Sequence, residues 1–352
     1  MKKIAYNVIL AIILSVAVAT VSVLTSISIC SVCDGQYYKI AIFVFIGLIG
    51  GYFMHNILHE AGHALFAERA GATIFEVAFC GFVFARDKKV GMNLRSGVAG
   101  WTEFVPNEPK KASEVLRKSL VGGMIGSFLS LFIAVIVYCL GIFTKNYFLA
   151  SAFGAHGAVN VYMIMLNFFS SARGTDGRLM ASAPEEYALA ASFLEYQSYL
   201  YNGVSAKNIE RLDFDNPCGK KITTLFDVQK ALQTGDAKTA EVYLDVALSE
   251  HKTTDNGLIA LYLEKLFVSI LFNDKENTEK YFLLSKKEIE YPSTVTSLRV
   301  ACYYRKYDGE EKWADSLKTT FYRSLNNCAL KGQAETEREI FENYSYFLKN
   351  EN

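Results

Sequence analysis

Four stretches of this 352-residue chain carry no charged side chain: residues 4–33, 40–58, 119–144 and 146–172. Each reaches the roughly 18–20 residues that a helix needs to cross the hydrocarbon core of a bilayer. Four such runs in succession are hard to bury in one soluble core. The pattern therefore predicts an α-helical polytopic membrane protein with about four transmembrane helices. Most of the charge follows residue 172, so a polar domain should succeed the membrane part. Three segments result: an anchor with its outer loop at 1–39, a membrane core at 40–180, and a soluble helical domain at 181–352. The formal net charge is zero, which gives no electrostatic reason to expect nucleic acid as a partner.

The first run starts after Lys2 and Lys3 and contains "AVA" at 17–19, as a cleaved leader would. Its apolar character continues through Ile29, well past any cleavage there, which favours an uncleaved anchor. Cys30 and Cys33 form a C-x-x-C at its outer end, but without a βαβ context the pair carries no assignment. Cys218, Cys302 and Cys328 have no metal-ligand spacing and read as reduced thiols. Charge sets the expected orientation. The loop between the second and third runs holds Arg69, Arg86, Lys88, Lys89, Arg95, Lys110, Lys111, Arg117 and Lys118, whereas each loop on the other side has one lysine. By the positive-inside bias the protein should be a multi-pass protein of the cell membrane with both termini in the cytosol.

The second run ends in "NILHEAGHALF" at 56–66, which places two histidines and a glutamate where ionisable groups are costly. His59 and His63 are four residues apart, so on a helix both imidazoles can reach one ion. Glu60 beside them completes H-E-x-x-H, the arrangement of two zinc ligands and a general base. Catalytic zinc takes three protein ligands as a rule. Three candidates exist for the third. His55 lies on the same helix, where a third ligand would strain a tetrahedral site. His156 lies near the outer part of the fourth run. Asp176 lies just past its cytosolic end, between Gly174 and Gly177. Because His59 and His63 occupy the cytosolic third of their helix, depth favours Asp176.

These residues resemble the site-2 protease family of intramembrane zinc metalloproteases (peptidase family M50). The resemblance rests on His59, Glu60 and His63 in a membrane helix, followed over 100 residues later by the Asp176-Gly177 pair, and covers about residues 51–180. It implies one Zn2+ per chain held by His59, His63 and Asp176, with Glu60 as the catalytic base. Asn167 resembles the asparagine that precedes the Asp-Gly pair in many members and would touch substrate or support the site, as would Gly177. The stretch "GGMIGS" at 122–127 is similar to the small-residue stretch of the family's third core helix and permits close packing. The chain departs from the family in lacking a proline after Asn167 and in having Thr175 before Asp176.

Between the second and third runs, Val77, Phe79, Phe82, Val83, Phe84 and the stretch "GVAGWTEFV" read as strands, with glycines at 81, 91, 97 and 100 as turns or bulges. The segment resembles the family's membrane-associated β element, whose edge would pair with an unwound substrate. Asn160 shares a helix face with Asn167 and reads as interhelical glue. The polar tail reads as helical hairpins. "TGD" at 234–236, "FNDKEN" beginning 38 residues later and "YDGEEK" mark its turns, with Ala240, Leu244, Ala247 and Phe282 at packing positions. Such an array offers a surface to a protein partner.

The expected function is an intramembrane zinc metalloendopeptidase that cuts a membrane-embedded segment of a protein or peptide precursor. The resemblance implies as substrates an anti-sigma factor, a pheromone precursor or a signal-peptide remnant. The competing expectation is an inactive membrane scaffold that works through its tail. Retention of Glu60 speaks against it, since a vestigial site has no physical reason to keep a base. A transporter using His156 and Asp176 is weaker still, because the chain has no visible inverted repeat.

Overall fold

The computed structural model describes residues 37–86, 90–92, 100–169, 176, 179–180, 184–210, 217–249 and 258–348. The first expected membrane span, Cys30, Cys33, Thr175 and Gly177 lie outside these residues. The chain divides into two compact units, 1–191 and 192–352.

The first unit begins with helix α1 (Tyr37–Arg69), which runs without interruption through the H-E-x-x-H residues. It stops where Gly71 takes a positive φ of 92° and its N–H bonds back to the Glu68 carbonyl. A residue without a Cβ adopts that conformation cheaply, so Gly71 serves as the C-terminal stop. Four antiparallel strands follow: β1 (Ala72–Phe79), β2 (Phe82–Ala85), β3 (Val90–Met92) and β4 (Gly100–Pro106), in the order β3-β2-β1-β4. Strand β4 is thus an edge. Two long helices follow, α2 (Ala112–Phe143) and α3 (Tyr147–Phe169). Their connection is short, with Lys145 at positive φ and the Asn146 side chain capping α3 through the Leu149 N–H at 3.1 Å.

Helices α1, α2 and α3 are each long and apolar enough to cross a membrane. Their packing is inverted relative to a water-soluble bundle. Phe45 (63% exposed), Phe132 (61%), Ile46 and Leu140 face outward, while His55, His59, Glu60, His63, Ser127, His156 and Asn160 are buried. Large apolar side chains on the outside and polar ones within suit lipid as the surrounding solvent.

The helices approach closely because glycine lines their contact. A Cβ on Gly62 would stand 2.1 Å from the Gly122 carbonyl oxygen, and one on Gly126 2.0 Å from that of Leu58. No side chain can occupy that space, so the "GGMIGS" stretch allows backbone to meet backbone.

The second unit contains the C-terminal turns of α4 (Pro184–Tyr201) and then helices α5 (Pro217–Gln233), α6 (Ala237–Ser249), α7 (Ile259–Leu271), α8 (Lys275–Glu290), α9 (Val295–Tyr307), α10 (Glu311–Asn327) and α11 (Lys331–Asn343). The three expected turns fall between α5 and α6, α7 and α8, and α9 and α10. Each contains one residue at positive φ: Gly235, Asn273 and Gly309. Ala240, Leu244 and Ala247 are buried as expected, but in α8 the buried aromatic is Tyr281 and not its neighbour Phe282. Phe282 stacks on Tyr304 at the margin, with ring centroids 4.3 Å apart. The second hairpin is therefore rotated by one residue relative to the first.

Candidate metal centre

Helix α1 fixes the two histidines one turn apart, with ring centroids 4.6 Å apart and their planes nearly perpendicular. The Nε2 atoms of His59 and His63 stand 3.1 Å from one another. Asp176 Oδ2 closes a triangle, 3.2 Å from His59 Nε2 and 3.0 Å from His63 Nε2. Among the described residues this is the one cluster of three groups with metal-ligand chemistry and spacing. Of the three candidates for a third ligand, the fold thus brings Asp176 to the pair. His55 turns instead to Asn160, and His156 to Ser130. Asn167 sits half-buried in α3, outside the triangle.

The other ring nitrogens determine which way the lone pairs point. His63 Nδ1 lies 2.9 Å from the Ser119 carbonyl oxygen, and His59 Nδ1 lies 3.0 Å from that of Gly123. A carbonyl only accepts, so each Nδ1 carries a proton, and in the neutral imidazole each Nε2 then presents a lone pair. The triangle therefore consists of two imidazole lone pairs and a carboxylate oxygen, all facing inward. Asp176 Oδ2 is buried yet receives no hydrogen bond of acceptable geometry, despite its two close nitrogen neighbours. Three converging electron pairs repel unless a cation lies among them. Zinc bonds of about 2.0–2.1 Å in tetrahedral directions separate neighbouring ligand atoms by about 3.3 Å. Edges of 3.0–3.2 Å fit that requirement.

Gly123 makes room for the centre. A Cβ there would lie 2.3 Å from His63 Nε2, inside the space a ligand atom and its ion need. Ser119, Gly123 and Ser127 are spaced by four on α2, so one face of that helix supplies both carbonyls and both nearby hydroxyls.

Glu60 is held by the edge strand. Thr102 Oγ1 donates to Glu60 Oε2 at 2.8 Å and lies 3.2 Å from the Glu60 carbonyl oxygen. The bulge at Ile74/Glu76 sets the register of β1 against β4, pairing Val77 with Thr102 and Phe79 with Gly100. A Cβ on Gly100 would stand 2.7 Å from Glu60 Cγ and Oε1, so the glutamate packs directly on this strand. Sequence reasoning missed Thr102, which lies 42 residues from Glu60 and in no recognisable motif.

Comparison with protein-family models, with curated protein sequences and with solved structures gave no match.

Proposed function

We propose that this chain is an intramembrane zinc metalloendopeptidase. The single observation that carries the reading is the triangle of inward-facing lone pairs from His59, His63 and Asp176, with a buried carboxylate, Glu60, beside it. The three donors would hold one Zn2+, which when bound supplies Lewis acidity to polarise a peptide carbonyl and acidify water. Glu60 takes a proton from the attacking water and passes it to the leaving amine. Thr102 holds one carboxylate oxygen of Glu60, leaving the other to accept that proton. His59, Glu60 and His63 are buried, which strengthens these electrostatic interactions.

The substrate class on this reading is a membrane-embedded segment of a protein or peptide precursor. A peptide bond in such a segment is shielded by its own helix until it unwinds, and β4, an edge strand among the described residues, lies beside Glu60 where it can satisfy the freed backbone groups. On this reading both termini are cytosolic, and the helical tail recruits a protein partner or substrate.

The test is zinc content per chain in detergent-purified protein, together with cleavage of a membrane substrate captured by the Glu60→Gln variant. About one zinc in wild type and in Glu60→Gln is expected, none in Asp176→Ala, and cleavage by wild type alone. Zinc retained without Glu60-dependent cleavage would favour the scaffold function. Absence of zinc from wild type would end the proposal.

A further inference from the structure

We propose that His55 and Asn160 are positioning residues for the metal centre. Through Ser127 they form a one-way hydrogen-bond chain that holds the Nδ1 proton on His59 and aims its Nε2 lone pair at the cation. This inference rests on the zinc reading above and deepens it.

The direction of the chain follows from its far end. Asn160 Nδ2 donates to the His156 carbonyl oxygen at 2.9 Å, which commits the amide nitrogen and leaves Oδ1 facing His55 Nδ1 at 3.0 Å. An amide oxygen accepts, so His55 carries its proton on Nδ1 and its Nε2 holds a lone pair. Ser127 Oγ lies 3.5 Å from that Nε2 and donates its hydrogen to it. The serine oxygen is then left with lone pairs alone towards His59 Nδ1, 2.9 Å away. His59 Nδ1 thus meets two acceptors, this hydroxyl and the Gly123 carbonyl, and keeps its proton. The His55 and His59 rings also lie nearly parallel, 13° apart with centroids at 5.8 Å, so His55 limits the tilt of the ligand.

His63 provides an internal parallel. It too faces one carbonyl and one serine hydroxyl, and the Ser119 hydroxyl directs its hydrogen to the His63 backbone carbonyl at 3.3 Å. In both ligands the hydroxyl hydrogen is directed away from the ring. His59 needs a second side chain to achieve this, and His55 is that side chain. His55, Ser127 and Asn160 are all fully buried. Burying three polar groups among apolar helices is costly, and an apolar trio would fill the space more cheaply. Their polar atoms form an unbroken path that ends on a ligand nitrogen. Partners of this kind fix ligand tautomer and orientation, and their loss typically weakens metal binding about 10–100-fold.

The test uses the full-length protein in detergent, loaded with Co2+ or Zn2+ against a competing chelator. His55→Phe keeps a ring and removes both nitrogens. Asn160→Leu removes the anchor, and Ser127→Ala deletes one hydroxyl at a position where alanine suits the helix. We expect about 10–100-fold weaker binding in each, an altered Co2+ absorption spectrum, and partial recovery in His55→Gln, which restores a donor and an acceptor. The double variant His55→Phe/Ser127→Ala should bind no worse than Ser127→Ala alone, because the two act through one chain. Wild-type affinity and spectrum in folded His55→Phe and Asn160→Leu would overturn the inference and leave the zinc reading standing. If either variant fails to fold, Ser127→Ala decides by the same readouts. Failure of wild type itself to bind either metal would overturn both.

Discussion

At the scale of single residues, the centre depends on side chains of two kinds: those that donate electrons and those that make room. His59, Glu60 and His63 were legible because charge inside an apolar run is expensive and the spacing of four is that of a helix face. Asp176 was legible from its depth in the chain's expected topology. Thr102 was not, because nothing in a strand sequence tells which distant side chain it will meet. We expect Thr102→Val to keep full zinc content and lose about tenfold in cleavage rate, the cost of one hydrogen bond to a charged group. Equal cleavage rates in the two proteins would show that the contact is incidental. Gly123→Ala should do the opposite to zinc. Its methyl would intrude on His63 Nε2, so zinc content should fall well below one per chain in a protein that still melts cooperatively.

At the scale of elements, the membrane unit shows why a pattern can be read while its consequence is not. The small residues at 122–127 announced close packing, but not that Ser119, Gly123 and Ser127 would present carbonyls and hydroxyls to both histidines. That result needs the crossing of two helices, which neither sequence contains alone. The strands were legible from β-branched and aromatic alternation. Their register was not, since the bulge at Ile74/Glu76 decides which residue of β4 meets Glu60. The glycine contact yields a sharp comparison. Gly126→Ala forces a methyl against the Leu58 carbonyl, a backbone atom that cannot swing aside, and should cost about 1–3 kcal/mol. Gly50→Ala meets nothing within 4 Å on the same helix bundle and should be neutral or slightly stabilising, as alanine favours a helix. Thermal melts of the two variants in detergent, side by side, check the pair. If the two variants melt alike, the contact between position 126 and the Leu58 carbonyl does not limit helix packing.

At the scale of the whole molecule, the two units are stabilised by different means. The first packs polar groups inside an apolar exterior, and the second packs an apolar core around a buried charge cluster. In that cluster Arg299 bonds Glu264 at 2.8 Å and Glu337 at 2.6 Å, and its guanidinium lies over the Phe267 ring at 4.4 Å. Thr296 adds a hydrogen bond to Glu337. All three ionic side chains are fully buried, and burial pushes the Glu264 carboxyl above its ordinary range against the pull of Arg299. None of this was legible in the sequence, where Arg299 stands as one of five arginines in a polar tail. Removing one member of a buried ion cluster strands its partners and costs about 3–5 kcal/mol, whereas replacing all members by apolar groups can be neutral. Arg299→Met should therefore lower the melting temperature of the second unit sharply, because two carboxylates would remain buried without a cation. The triple variant Arg299→Met/Glu264→Leu/Glu337→Leu should recover most of the loss. Zinc content per chain should stay at the wild-type value in both, since every expected ligand lies in the first unit with its own packing. Circular dichroism melts and metal analysis on the same samples test this. If zinc is lost along with the tail's stability, the metal centre depends on the second unit.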